Sequence, residues 1–291
     1  MKIRLENVSY RYTQGIEAFS GKDDAIRDIS IEIASGEFVG IVGPSGSGKT
    51  TLIQHFNGLL LPTSGKVLID GVDLTEHKKR LGEIRRKIGI IFQFPEFQFF
   101  ENTIYDEVAY GPRNLKIPEE VIQTRMQEAF QLLGLDFQEF KDRSPFQLSE
   151  GQKRRVAIAS ILVMEPDVLV FDEPTAGLDY QGVGRLKNFV KELRQVGKTV
   201  ILVSHDMNFI AEMVDRVICL KNGQVIFDGT KTEFFTDTQL LKTANLKEPE
   251  VLRLVRFLRG KGVKIPFPIY ELPPLKAFLE QLVNTNLNKN N

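Results

Sequence analysis

Residues Gly43–Thr51 read GPSGSGKTT and fit the spacing G-x-x-x-x-G-K-[ST], which leaves a chain few choices of fold. Glycines at that spacing let successive backbone N–H groups close around phosphate oxygens. The lysine then reaches the outer phosphates, and the hydroxyl after it ligates Mg²⁺. Here those two residues are Lys49 and Thr50. The flanks agree: Glu37–Val42 (EFVGIV) reads as a buried strand, and Thr51–Phe56 opens a helix whose N-terminus faces the anion. Gly43, Pro44, Ser45, Gly46, Ser47, Gly48, Lys49, Thr50 and Thr51 are therefore assigned to a nucleoside triphosphate, with Thr50 also on the metal. A glycine-rich turn without a ligand would not need this setting.

Strands alternate with helical patterns as far as about Gly229, the signature of an α/β chain. Gly43, Asp172 and His205 each lie just past the C-terminal end of an apolar strand, where ligands bind in parallel sheets. Helical stretches between Gln93 and Glu165 interrupt that order and read as an inserted subdomain. At the N-terminus, IRLENVSYRY alternates apolar and polar residues and is expected to be an edge-facing strand. A loop, Thr13–Asp24, and a second alternating strand, Ile29–Ile33, come next. Tyr12 is either a platform for stacking an adenine ring or an ordinary strand aromatic.

After the expected strand Ile88–Phe92 comes a dense aromatic run, Phe92, Phe94, Phe97, Phe99 and Phe100. It reads equally as core and as a docking groove for a partner helix. A helix is expected over Glu119–Leu135, closed by Gly134, and another over Gln152–Met164. Beyond Thr230 two short amphipathic stretches carry Val251, Leu252, Leu254, Val255 and Leu258, then Leu275, Phe278, Leu279, Leu282 and Val283. Neither can bury its apolar face alone, so each must pack on its own domain or on a neighbour.

Composition narrows the functional classes. Lys+Arg and Asp+Glu both number 38, so the chain lacks the basic surface of a general nucleic-acid binder. One cysteine, Cys219, excludes a disulfide framework and reads as a small buried hydrophobe. The start is not that of a signal peptide, and no apolar run, Val156–Met164 included, approaches the roughly 18 residues that span a bilayer. Service to a membrane would pass through a partner.

Hydrolysis of a phosphoanhydride needs positioned phosphates, a metal, and a group that orients water. The strand ending in Asp172-Glu173 supplies the last two: Asp172 for Mg²⁺, Glu173 for the water. One acid at a strand end is commonplace, whereas an adjacent pair beside a phosphate loop is not. His205, after the apolar strand VILV, reads either as a hydrogen-bond partner of the γ-phosphate or, as a lone histidine after a strand usually is, as structural; His55 and His77 read as structural.

These residues together resemble the ATP-binding-cassette ATPases, over about Met1–Gly229. Tyr12 matches the adenine-stacking aromatic, GPSGSGKTT the phosphate loop, and Gln93 the lid glutamine that also serves the metal. LSEGQ at Leu148–Gln152 matches the signature, VLVFDE the metal-binding strand, AGLD at Ala176–Asp179 the inter-subunit loop, and His205 the switch histidine. The resemblance implies ATP and Mg²⁺ as ligands and Glu173 and His205 as the catalytic pair. It implies that Ser149, Gly151 and Gln152 face the ATP held by another subunit. It also implies an α/β P-loop NTPase fold of cassette type, with an N-terminal antiparallel β part, an inserted helical subdomain at about 94–165 and a small C-terminal helical extension. The cassette would occupy 1–230, and the extension, 231–291, would serve dimerisation.

Within that family the likeness is strongest to the ATPases of energy-coupling-factor transporters, which import vitamins, cobalt or nickel. FQFPEFQFF, DEVAYGPRN, RSPFQLSEGQKRRVAIAS and PDVLVFDEPTAGLD carry it. The implied partners are a second ATPase, identical or a paralogue, an integral membrane transport component and a substrate-binding membrane subunit, without nucleic acid. The implied location is peripheral, on the cytoplasmic face of the cell membrane. One departure is Glu150, which replaces a signature glycine and is expected to point away from the phosphate. The alternative is a cassette ATPase acting on nucleic acid or ribosomes, but such relatives usually carry coiled-coil insertions or two cassettes. A small-molecule kinase would have no use for LSEGQ and AGLD.

Overall fold

Strands buried on one face and strands buried on both faces sort into two sheets. The structure, a computed structural model, describes residues 1–12, 24–266 and 268–287, apart from the side chains of residues 96, 97 and 285–287. β1 (Ile3–Tyr10) buries Ile3, Leu5 and Val8, and β2 (Ile26–Ile33) buries its four isoleucines. With β4 (Ser64–Ile69) and β5 (Val72–Asp73) they form an antiparallel sheet in the order β2-β1-β4-β5. β1 is thus interior, not an edge. Its alternation reports that one face is wet, which says nothing about how many neighbours it has.

In β3 (Phe38–Val42), β6 (Ile88–Ile91), β7 (Val168–Asp172) and β8 (Thr199–Val203) every residue is buried. They run parallel with β9 (Arg216–Lys221), and β10 (Gln224–Thr230) folds back antiparallel through Asn222-Gly223. The order is β10-β9-β3-β8-β7-β6. Strands distant in sequence therefore end side by side.

On one face of this sheet α1 (Lys49–Phe56) contributes Leu52, Ile53 and Phe56 to a core shared with the antiparallel sheet. α2 (Leu81–Lys87) leads into β6. Between β6 and β7 lie α3 (Ile104–Asn114), α4 (Glu119–Leu132), α5 (Phe137–Phe140) and α6 (Glu150–Leu162). α4 stops before Gly134, whose φ of 64° ends it as expected. α6 begins two residues before the expected Gln152, because Ser149 caps it. Val108, Met126 and Phe130 of these helices share one apolar cluster with Phe171 and Leu202 of the sheet. α7 (Tyr180–Gln195) and α8 (Met207–Met213) join the same cluster through Phe189 and Phe209.

The aromatic run after β6 divides. Phe99 packs on the main core, whereas Phe94 and Phe100 are exposed, and Phe100 meets Tyr110 edge-on at 4.7 Å. The side chain of Phe97 lies outside the described residues.

α9 (Lys231–Thr236), α10 (Thr238–Thr243), α11 (Glu250–Gly260) and α12 (Leu272–Leu287) complete the chain. α11 rests on its own chain. Leu252 is 0% exposed within the main core, and the Glu250 N–H donates to Asn208 Oδ1 at 2.8 Å. Arg256 donates to the carbonyls of Phe235 and Thr236 at 3.1 and 3.0 Å. Val255, Ile265 and Leu275 form a small separate cluster, which leaves Leu254, Phe257 and Val283 exposed. Leu252→Ala should therefore cost about 2–5 kcal/mol. Phe257→Ala, at 60% exposure, should change stability by less than about 0.5 kcal/mol. Denaturant melts of the two variants check this contrast.

Candidate functional site

At two of its glycines the phosphate loop passes where no side chain fits. At Gly43 a Cβ would fall 2.2 Å from the Leu220 carbonyl oxygen, and at Gly48, with φ 96°, 2.6 Å from that of Ala25. The start of β2 and the end of β9 thus clamp the loop from two sides. Gly223 of the β9–β10 turn adds a prop, its N–H donating to Ser47 O at 3.2 Å. No motif in the sequence marked that turn as part of the site.

Lys49 Nζ lies over its own loop, donating to the carbonyls of Gly43 and Pro44 at 2.8 and 3.0 Å. Burial lowers its pKa, while Glu173 and Asp172 oppose that shift. Thr50 Oγ1 donates to Asp172 Oδ2 at 3.0 Å across 122 positions of sequence. Burial raises the Asp172 pKa, the Thr50 hydrogen bond lowers it, and nearby Glu173 raises it further. A hydroxyl and a carboxylate this close form an oxygen donor set that fits a hard divalent cation.

Glu173 has a φ of 49°, an uncommon conformation for a residue with a side chain. Its N–H donates to Val203 O at 2.8 Å. Its Oε2 accepts from Ser204 Oγ at 3.1 Å and the His205 N–H at 3.4 Å, and lies 2.9 Å from His205 Nδ1. Three groups thus aim one carboxylate. Ser204 escaped the sequence reading; a hydroxyl between a buried strand and the histidine was its only signal.

Tyr12 lies just past β1, with its hydroxyl 3.1 Å from Thr51 Oγ1 and its ring edge-on to Tyr10 at 5.0 Å. Tyr10 in turn meets the buried His55 at 5.1 Å. Gln93 lies just past β6 and is exposed. Cys219 is buried in β9 beneath the loop, and burial pushes its thiol up to about 12.

The signature residues lie elsewhere. Ser149 Oγ accepts from the Gln152 N–H, and Gln152 Oε1 accepts from the Ser149 N–H at 3.0 Å, a reciprocal cap on α6. The Gln152 side chain is therefore engaged at its own helix end. Glu150 is 72% exposed and pairs with Lys153 at 3.0 Å, pointing outward as expected. Among the described residues no hydrogen bond joins Ser149, Gly151 or Gln152 to the phosphate loop. Ser149 and Gly151 instead border a cleft of about 560 Å³ with Gly177, Leu178 and Asp179.

A glycine-clamped phosphate loop, a threonine hydrogen-bonded to a buried aspartate and an aimed glutamate at the strand ends of a parallel sheet define a P-loop nucleotide-hydrolysing protein. The family model described as ABC transporter matches residues 26–176. The chain is 44% identical over 287 residues to the energy-coupling factor transporter ATP-binding protein EcfA2 of Clostridium perfringens, covering 98% of this chain and all of the relative. It is 45% identical over 280 residues to EcfA2 of Caldanaerobacter subterraneus, 96% of each chain. Among solved structures, cbiO1 from Clostridium perfringens, part of the ABC transporter complex cbiONQ, superimposes with a TM-score of 0.71 at 37% identity, covering 90% of this chain and 98% of that one. A dimeric ATP-binding cassette bound to ADP and Pi in a post-hydrolysis state gives 0.68 at 33% identity, over 78% and 98%. The chain belongs to the ABC transporter family.

Because burial raises the Asp172 pKa, the ionised carboxylate burdens the fold above that raised pKa. The burden vanishes once pH falls below the pKa of the unfolded chain. Asp172→Asn should thus melt higher than the native protein near pH 7.5, and the difference should shrink on acidification. It should also lose the Mg²⁺-dependent part of any stabilisation by ATP. Thermal melts with and without ATP and Mg²⁺ measure both.

Proposed function

We propose that this chain is the ATP-hydrolysing subunit of an energy-coupling-factor type importer, with Glu173 orienting the attacking water. The observation that carries the reading is the convergence of Ser204 and His205 on Glu173 Oε2, one strand away from Lys49 and the Thr50–Asp172 pair. Lys49 and the loop N–H groups would hold the β- and γ-phosphates, and Tyr12 would stack on the adenine. Thr50 and Asp172, with Gln93, would hold Mg²⁺, whose chemistry when bound is to neutralise phosphate charge. Glu173 takes the proton of the water it orients, while His205 steadies that carboxylate and reaches toward the γ-phosphate.

Ser149 and Gly151, apart from their own loop, suit the ATP of a second ATPase, identical or a paralogue, so that each chain supplies two half-sites. The exposed Phe94, Phe100 and Tyr110 suit a membrane component that passes the stroke to a substrate-binding subunit. No described helix is long and apolar enough to cross a membrane, and the proposed place is peripheral, on the cytoplasmic face. The solute class is a vitamin or a transition-metal ion such as cobalt or nickel. In this reading 1–230 form the cassette, about 94–165 its helical part, and 231–291 the extension that pairs subunits through the outward Leu254 and Phe257.

Glu173→Gln should keep ATP affinity and slow hydrolysis by about 10²–10⁴-fold. Near-normal steady-state turnover would overturn the role of Glu173. For the extension, truncation near Phe234 would strip Phe235, Leu241, Ala244 and Leu252 from the core, so surface changes test it better. The double variant Leu254→Glu, Phe257→Glu should fold normally and lose nucleotide-independent pairing. Light scattering without ATP reads this directly, and an undiminished dimer would count against the role.

A further inference from the structure

Two residues past LSEGQ, α6 carries a buried arginine. Arg154 is 7% exposed on a helix that otherwise buries Val156, Ala157, Ile158 and Ala159. A guanidinium at that depth is costly to desolvate unless its donors are met. They meet main-chain oxygens of the turn just past β7. One Nη donates to Ala176 O at 2.6 Å, and the other to Glu173 O at 3.2 Å. The Ala176 N–H also donates to Glu173 O at 3.1 Å, so Arg154 grips both ends of one tight turn. That turn begins at the residue held at φ 49° and runs into Gly177–Asp179. The neighbouring Arg155 faces the other way, toward the carbonyls of Leu133 and Gly134.

We infer that Arg154 is a positioning residue for hydrolysis, acting through Glu173. Its bonds to the turn reach main-chain oxygens, not the Glu173 carboxylate. Its planar fork holds the Glu173 main chain in the left-handed conformation from which the carboxylate reaches Ser204 and His205. A lysine lacks the planar fork and carries its three donors on one nitrogen, so it keeps the charge and part of the bonding without the fixed geometry. The place of Arg154 on its helix has a second consequence. Five residues earlier, capping the same helix, is Ser149, which the proposed function assigns to the ATP of the neighbouring subunit. Arg154 therefore ties the seating of one ATP to the aim of the carboxylate that serves the other.

This role rests on Glu173 as the water-orienting residue, and the test separates the two. In the assembled full-length complex, Arg154→Gln and Arg154→Lys are each made alone and combined with Glu173→Gln. Arg154→Gln should lower kcat about tenfold to a hundredfold, the loss that misplacing a catalytic group brings. KM for ATP and equilibrium ATP binding should stay within about twofold of native. Arg154→Lys should recover part of kcat, and the Hill coefficient for ATP should fall in both variants. In the Glu173→Gln background, Arg154→Gln should add no further loss in single-turnover hydrolysis. If Glu173→Gln alone turns over normally, the base fails and this role fails with it. If Glu173→Gln is slow and Arg154→Gln multiplies that loss, Glu173 stands and the positioning role is overturned. Unchanged kcat in Arg154→Gln overturns it too. Should that variant melt well below native, the same cycle with Arg154→Lys decides.

Discussion

Parallel pairing of β3, β8 and β7 is the constraint on which the site depends. In that register Ile41 lies opposite Val203, and Val203 opposite Asp172. The three chains therefore leave the sheet at nearly one level, and each runs straight into chemistry: Gly43 of the phosphate loop, Ser204-His205, and Glu173. A slip of one residue would turn these strands over and part Thr50 from Asp172. Burial on both faces resists such a slip, since every residue of the three strands is packed.

The site itself works against stability. Lys49 and Asp172 are both shifted by burial toward their neutral forms, and Glu173 adopts a backbone conformation that costs about 1–3 kcal/mol. What holds them is a surround of main-chain and short polar contacts: the carbonyls of Gly43 and Pro44, the hydroxyls of Thr50 and Ser204, and Val203 O. Such strain and desolvation are sustained by the large shared cores on either side of the sheet, not by the loop. At Gly43 and Gly48 the path is closed to any Cβ, which pins both ends of the loop.

The helices between β6 and β7 are continuous with the sheet's core, yet they present different chemistry to solvent. Their aromatic tip is held by Glu107, whose Oε2 accepts from the N–H groups of Phe100 and Glu101 at 2.9 Å each. At the far end of the chain, α11 has two allegiances. Leu252 commits one face to the molecule's own core, and Leu254 and Phe257 leave the other apolar and open. An amphipathic stretch in the sequence shows that an apolar face exists; it does not say which residues of that face remain uncovered.

Local rules made much of this molecule legible from residues alone. The phosphate loop needs glycines at fixed spacing, the strands buried on both faces read as unbroken apolar runs, and Gly134 and Asn222-Gly223 end elements because only such residues take positive φ readily. The ordered motifs carried the family, and Glu150 points outward because the first turn of a helix offers a carboxylate solvent and a lysine three residues on. Tertiary structure decided the rest. That β1 lies inside its sheet, that Gly223 props the loop, that Ser204 aims Glu173 and that Arg154 grips the turn after it all depend on contacts between residues far apart in the chain. Such contacts leave no period or spacing in the sequence, because the distance that matters is set by strand order and helix packing.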